Sequence, residues 1–238
     1  MISIITIVLN DKDNIERTIQ SVLNQNIEIE YIIIDGGSTD GTLEVIEKYR
    51  DKIDILVSEK DDGIYNAMNK ATEKANGEWI CFMNSGDGFY NSNVLKNILP
   101  NIENSVDVVY GDWEVRYASK NKIKKANNSI DKIWQGMIFS HQSCFVKKDI
   151  LKEYKFNESN RITADYELFY TLYKANKRFK YISMIVASVS AGGLSDIKRV
   201  DSILSRWNIV DKSFFVNIYY LKLIIAELIK IPIKKVLR

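Results

Sequence analysis

Four aspartates stand where an α/β protein carries its chemistry, after an apolar run or at a helix start: Asp35, Asp61, Asp87 and Asp165. Asp35 opens the turn Asp35-Gly36-Gly37-Ser38-Thr39-Asp40-Gly41-Thr42. Its glycines permit a tight turn and close backbone approach, and a carboxylate there can accept hydrogen bonds from a base N–H or a ribose hydroxyl. Thr39 and Asp40 read as caps of the helix that follows. Asp87 ends Asn84-Ser85-Gly86-Asp87, directly after the run Trp79 to Met83. One carboxylate in a glycine turn can hold Mg²⁺ or Mn²⁺ if a substrate diphosphate supplies the other oxygens, and a plain Asx turn has the same pattern. The stretch from Glu59 to Lys70 is acidic before its helix and amide-rich within it, which suits a solvated turn as well as a ligand site. Asn10-Asp11 ends the first apolar run.

The elements that must position these residues follow from hydrophobic pattern. Ile2 to Leu9 is a β-branched run, and Asp13 with Glu16 resembles a capping box ahead of a helix that turns Ile15, Ile19, Val22 and Leu23 inward. Strands at Tyr31 to Ile34, Ile53 to Val57 and Trp79 to Met83 alternate with helices marked by Leu43, Ile46 and Tyr49 and by Ile64 to Ala75. Fully apolar strands alternating with amphipathic helices predict a parallel sheet covered on both faces. Beyond Pro100 the pattern predicts two strands, Val106 to Tyr110 and Glu114 to Tyr117, then a Lys/Asn-rich exposed loop over 119–132. A strand from His141 to Val146, a helix over Ala164 to Ala175 and a strand from Lys180 to Ser188 follow. From Phe214 onward, Phe214, Ile218, Leu221, Ile225 and Leu228 share one helical face, Lys222, Glu227, Lys230 and Lys234 the other, with a basic end at Lys234, Lys235 and Arg238.

Composition removes several classes. The chain has 238 residues, 46% hydrophobic and 27% charged, enough for one large globular domain without disulfides or metals as staples. Its 33 basic against 31 acidic residues leave +2, without the strongly basic signature of a nucleic-acid binder. No Gly-x-Gly-x-x-Gly follows the first strand and no Gly-Lys-Ser/Thr occurs, so dinucleotide-binding and P-loop sites are excluded. Cys81 and Cys144 lie in apolar runs with no zinc-binding spacing and read as buried thiols. Residues 1 to 9 lack a signal peptide's basic start and cleavage site, and no charge-free stretch approaches the roughly 20 residues that span a bilayer. The expected location is the cytoplasm.

Taken in order, the opening strand through Asn10, the run Ile33 to Thr42, Asp61 to Lys70, and Gly77-Glu78-Trp79-Ile80 leading to Asn84-Ser85-Gly86-Asp87 resemble family-2 glycosyltransferases of the GT-A fold, over residues 2 to about 195. Asp62 to Lys70, Phe139-Ser140-His141-Gln142-Ser143 and Ala164-Asp165-Tyr166-Glu167-Leu168 resemble the branch that builds bacterial surface polysaccharides. The resemblance implies an α/β GT-A domain over 1–195, its Rossmann-like, mainly parallel sheet flanked by helices, and a C-terminal amphipathic helical extension over 196–238. It implies donor contacts from Thr6, Val8, Asn10, Asp35, Asp61, Asn69, Lys70, Ser85 and Gly86, a Mn²⁺ or Mg²⁺ ligand at Asp87, and a catalytic base at Asp165. Asn84 and Ser85 depart from the metal motif, standing where many relatives carry acids.

The activity so implied is inverting, metal-dependent transfer of a hexosyl or N-acetylhexosaminyl unit from a nucleotide sugar, expected to be UDP-linked, to a glycan or lipid-linked acceptor. One carboxylate base suffices, because the nucleotide leaving group carries its own charge, whereas a hydrolase needs a second carboxyl to protonate its leaving group. On the acceptor or diphosphate side stand Trp134, His141 and Gln142, with Lys198 and Arg199 near the glycine turn Ala191 to Ser195. A buried, satisfied His141 and a core Trp134 are the structural alternatives. The segment 214–238 suits packing on protein or a peripheral contact with an anionic membrane. Self-association is compatible with all of this. A different class is a catalytically silent sugar-nucleotide-binding or assembly module on the same fold. A nucleotidyltransferase lacks its glycine- and basic-rich loop after Leu9, where Asn10-Asp11-Lys12 stands instead.

Overall fold

The computed structural model describes residues 1–193 and 197–236, with side chains up to residue 230. Its strands are β1 (Ile2–Val8), β2 (Glu30–Asp35), β3 (Ile55–Ser58), β4 (Trp79–Phe82), β5 (Gly88–Phe89), β6 (Val108–Arg116), β7 (Asn121–Lys124), β8 (Cys144–Lys147) and β9 (Phe179–Ser190). The helices are α1 (Lys12–Leu23), α2 (Thr42–Glu47), α3 (Ile64–Lys74), α4 (Val94–Ile98), α5 (Lys148–Tyr154), α6 (Ala164–Lys174), α7 (Arg199–Ile209) and α8 (Phe214–Val236). One sheet runs in the order β3-β2-β1-β4-β8-β6-β9-β5, with β7 paired to β6.

The first four strands are parallel; β1, β2 and β4 are buried on both faces, as their continuous apolar runs dictate, while the edge strand β3 is only partly buried. Alternate residues divide between two cores. Ile4, Tyr31, Ile33 and Cys81 pack with Ile15, Ile19 and Val22 of α1 and with α2 and α4, while Ile5, Ile32, Ile34 and Phe82 pack with α3, α5 and α6. Both cysteines are buried and free.

The mainly parallel sheet expected from the sequence also carries antiparallel strands. β8 runs antiparallel to β4 and β6, and β5 and β7 add antiparallel edges. The two strands predicted around Tyr110 and Glu114 are one strand, β6, paired in parallel with β9 through register shifts on either side of Asp112. Part of the predicted 119–132 loop is the exposed edge strand β7. His141 to Ser143 form a 3₁₀ turn before β8, not the start of the strand. The capping box is absent: Asp11 occupies the N-cap, and Glu16 accepts a hydrogen bond from Tyr49 Oη at 2.7 Å instead.

Two buried carboxylates tie distant segments together. Glu30 accepts hydrogen bonds from Ser3 Oγ and from the Asn76 backbone and side chain. Burial pushes its carboxyl up, but these donors win and hold it below the ordinary range. Gly77 fits beside them because a Cβ there would lie 2.6 Å from the Ser3 nitrogen.

Asp107, at the mouth of β6, accepts from Arg178 N at 2.9 Å and Arg178 Nη2 at 3.0 Å, with Lys147 Nζ at 3.7 Å. The Arg178 guanidinium holds its carboxyl down at about 2. A depressed carboxyl stabilises the fold above its unfolded pKa, and that contribution is lost as pH falls from about 4 towards 2. Discounted for the exposed guanidinium, Asp107→Asn is expected to cost about 1–2 kcal/mol at pH 7 and almost nothing at pH 2. Urea unfolding at both pH values checks this; an equal loss at both would contradict it.

Candidate active site

Because β1, β2 and β4 are parallel, their C-terminal ends deliver Asn10-Asp11, the Asp35 turn and the Asn84–Asp87 turn to one edge of the sheet. A cavity of about 570 Å³ there is lined by Asp11, Ser85, Gly86, Asp87, Gln142, Ser190 and Arg199. A second, of about 400 Å³, is lined by Asn84, Asp87, His141, Gln142, Arg161 and Asp165. A third, of about 360 Å³, reaches Val8, Asn10, Asn84 and Ser85. Shared walls at Asp87, Gln142, Asn84 and Ser85 make these one cleft.

Asp87 is held on both oxygens. Ser190 N donates to Oδ1 at 2.8 Å and Gln142 Nε2 to Oδ2 at 2.7 Å. Burial pushes its carboxyl up to about 6, against the pull of the Ser190 amide and of the Arg116 charge. Asn84 Oδ1, on the same cleft, is buried without a partner among the described residues. Ser85 Oγ donates to Asp11 Oδ2 at 2.6 Å, and Gly86 takes positive φ, +86°, with its N–H donated to Thr18 Oγ1.

Asp165 lies in the first turn of α6, where the helix dipole favours negative charge. Tyr65 Oη donates its single proton to Asp165 Oδ1 at 3.2 Å, shared with the Ile162 carbonyl at 3.3 Å. His141 is buried against Phe82, Phe156 and Phe169, and burial pushes its imidazole pKa down.

Several expected donor contacts lie elsewhere. Thr6 is buried and spends its hydroxyl on the Met83 carbonyl and Tyr31 Oη. Asp35 is fully buried, and its oxygens accept from Ser38 N, Ser38 Oγ and Ser58 Oγ. Asn69 clamps Phe156 N and O and Glu158. Lys70 is committed to Glu59 and Asp61, each at 2.8 Å. Asp61 keeps one oxygen, Oδ2, without a partner among the described residues, in the corner formed with Gly36 and Leu9. Asn10, at φ +50°, braces the Asp35 turn through Thr39 N and Ser38 Oγ while lining the cleft.

On the other side, Trp134 stacks edge-on against Tyr219 at 5.1 Å and accepts the Tyr220 hydroxyl on its carbonyl. It packs in the contact with α8. Lys198 is exposed at the N-cap of α7, whereas Arg199 lines the cleft and pairs with Glu227 at 2.9 Å. Gly192 and Gly193 line the cleft; Leu194 and Ser195 of the predicted turn, and the boundary proposed at 195/196, lie outside the described residues.

Residues 3–176 match the family model described as Glycosyl transferase family 2. The chain belongs to this family. This glycosyltransferase is 27% identical over 223 residues to a PGL/p-HBAD biosynthesis glycosyltransferase of Mycobacterium bovis, covering 90% of this chain and 82% of the relative. Its fold matches S. aureus TarS 1-349 in complex with UDP at a TM-score of 0.67 and 21% identity, covering 89% of this chain and 67% of that one. It spans 40% of a longer TarS chain. It also matches the mannosyltransferase PcManGT of Pyrobaculum calidifontis, in complex with GDP-Man and Mn²⁺, at a TM-score of 0.68 and 17% identity, covering 89% and 65% of the two chains. At such identities the likeness is one of fold.

The glycosyltransferase cleft contains groups that sequence reasoning did not single out. Arg116 reaches from the end of β6 to donate to the Gly86 carbonyl, Ser188 and Ser190, holding the Asp87 turn against β9. Tyr65 sits one position after Ile64 in a motif already noted, so its neighbourhood carried the signal; Arg116 had none.

Proposed function

We propose that this chain is an inverting glycosyltransferase that moves a sugar from a UDP-linked donor to a glycan or lipid-linked acceptor of surface polysaccharide synthesis. The observation that carries this is Asp87 and Asp165 on the walls of one cavity. A silent binding module has no use for a tyrosine-braced carboxylate opposite a buried acid.

Asp165 takes the acceptor proton as the acceptor oxygen bonds to the anomeric carbon. The carbon–oxygen bond to phosphate breaks on the opposite face, and its electron pair leaves with the nucleoside diphosphate. Tyr65 holds Oδ1, which leaves Oδ2 to receive the proton. Buried His141 and its phenylalanine neighbours close the floor against water.

A divalent cation fits the donor set. Asp87 and the unpartnered Asn84 Oδ1 are hard oxygen ligands on one cavity wall, and the diphosphate would complete the shell. Bound there, the ion would neutralise charge on the departing diphosphate. Among the described residues no cluster of three acidic, His or Cys side chains offers another cation site. For the nucleoside, the buried, unpartnered Oδ2 of Asp61 beside Gly36 and Leu9 lies next to the Asp35 turn and offers an acceptor there. The UDP complex of TarS supports uridine.

Isothermal titration with UDP, GDP and CMP, with and without Mn²⁺, tests this. UDP should bind at least about tenfold tighter with Mn²⁺, roughly 1.4 kcal/mol. Tight binding of GDP alone would change the donor, and no nucleotide binding would favour the silent module.

The amphipathic tail completes the proposal. No helix among the described residues is long and apolar enough to cross a membrane. α8 packs through Val216, Tyr219, Tyr220, Leu223 and Ile224, so the predicted stripe is not its packed face. Phe214, Leu221, Ile225, Leu228 and Ile229 remain exposed, with Phe214 at 74% and Phe215 at 78%. The only acid of 214–238, Glu227, is buried and pairs with both Arg199 and Lys230 at 2.9 Å, so the exposed charges of the helix, Lys222 and Lys230, are positive. This pattern fits the surface of an anionic bilayer. The side chains of Lys234 and Lys235, and Arg238, lie outside the described residues. Sedimentation with phosphatidylglycerol vesicles should pull down the protein, and Leu221→Glu/Ile225→Glu should release it. Equal sedimentation of both proteins would refute the contact.

A further inference from the structure

A separate cavity of about 600 Å³ adjoins the cleft. Trp113 lines it and the Asp87 cavity, and Met137 lines it and the Asp165 cavity, so it shares a wall with each half of the reaction centre. The paired register shifts around Asp112 interrupt the ladder between β6 and β9 directly before Trp113. Buried Asp112 accepts the Tyr181 hydroxyl at 3.0 Å and the Ala126 N–H at 2.9 Å on one oxygen, which pins the phenol and the 126 backbone around the cavity.

The lining has the mixed chemistry of a saccharide site. Trp113 and Tyr181 offer flat apolar faces for pyranose C–H groups. The Trp113 indole N–H and the Asn128 amide make no hydrogen bond among the described residues and can read hydroxyls. Among the described residues, Lys125 is exposed on the wall without an ion pair and no acid lines the cavity. Lys122 and Lys124 stand exposed on the adjoining β7.

We propose that this cavity is an acceptor subsite for a pyranose carrying an anionic group, with Trp113 and Tyr181 against the ring and Lys125 on the anion. The proposal rests on the glycosyltransferase reading of the cleft and deepens it by naming the acceptor class.

Saturation-transfer NMR on the full chain with UDP present tests it. The probes are digalacturonate with its neutral methyl ester, and maltose 1-phosphate with maltose, so that carboxylate and phosphate are separated. At least one anionic probe should bind about fivefold tighter than its neutral partner, and Trp113→Ala should weaken it about tenfold, as loss of an aromatic anchor does. Trp113→Phe, which keeps an apolar face in this well-packed position, should retain most of the binding. Lys125→Ala should abolish the preference for the anion and leave the neutral probe unchanged. Equal binding of charged and neutral probes, wild-type binding by Trp113→Ala, or no binding of any probe at millimolar concentration overturns the subsite. UDP calorimetry on the same samples keeps the two readings apart: a wild type that binds saccharide but not UDP sinks the donor site alone.

Discussion

Asp165→Asn is expected to lower kcat for sugar transfer by about 10³, within the range of a lost general base, with the KM for donor changed less than about twofold. The amide is isosteric and can still accept the Tyr65 hydroxyl, so the pocket keeps its shape. If Asp165 served only as an acid at the start of α6, the same change would cost about 0.5 kcal/mol of stability and leave the rate alone. Steady-state kinetics together with thermal unfolding separate the two. A wild-type kcat with a lowered Tm would remove Asp165 from the chemistry.

Asp87→Asn is expected to abolish the Mn²⁺ dependence of UDP binding and to lower transfer by about 10²–10³, the several kcal/mol that a cation contributes at a leaving group. Stability should hardly fall. The carboxyl is buried and already raised to about 6, so exchanging it for a neutral amide removes a costly buried charge and the Gln142 contact together. Titration of the variant with UDP, with and without Mn²⁺, gives the answer. An unchanged metal effect would move the cation away from this turn.

The motifs that identify the family were legible because they are local. Strand ends, glycine turns and the helix start at Asp165 depend on neighbours a few residues away, and all four aspartates do sit at such places. Which oxygen of which aspartate stays open was not legible. Ser58 reaches Asp35 from the neighbouring strand and donates to its Oδ2, and Asp61 keeps Oδ2 unpartnered because Lys70 occupies only Oδ1. Thr6 and Val8 were ambiguous for another reason. A strand buried on both faces shows no alternation, so nothing in Ile2 to Leu9 says which side chains look towards the cleft.

By itself, the sequence determined the order of strands and helices, the parallel half of the sheet and the turns that carry acids, since short-range pattern and turn chemistry suffice for these. The tertiary structure decided the rest. It merged two expected strands into β6 with register shifts at Asp112, placed Trp134 against α8 and Trp113 on the cleft, and turned Glu227 inward so that the apolar stripe of the tail faces outward. Each of those outcomes depends on partners tens of residues away, whose positions exist only once the sheet has closed.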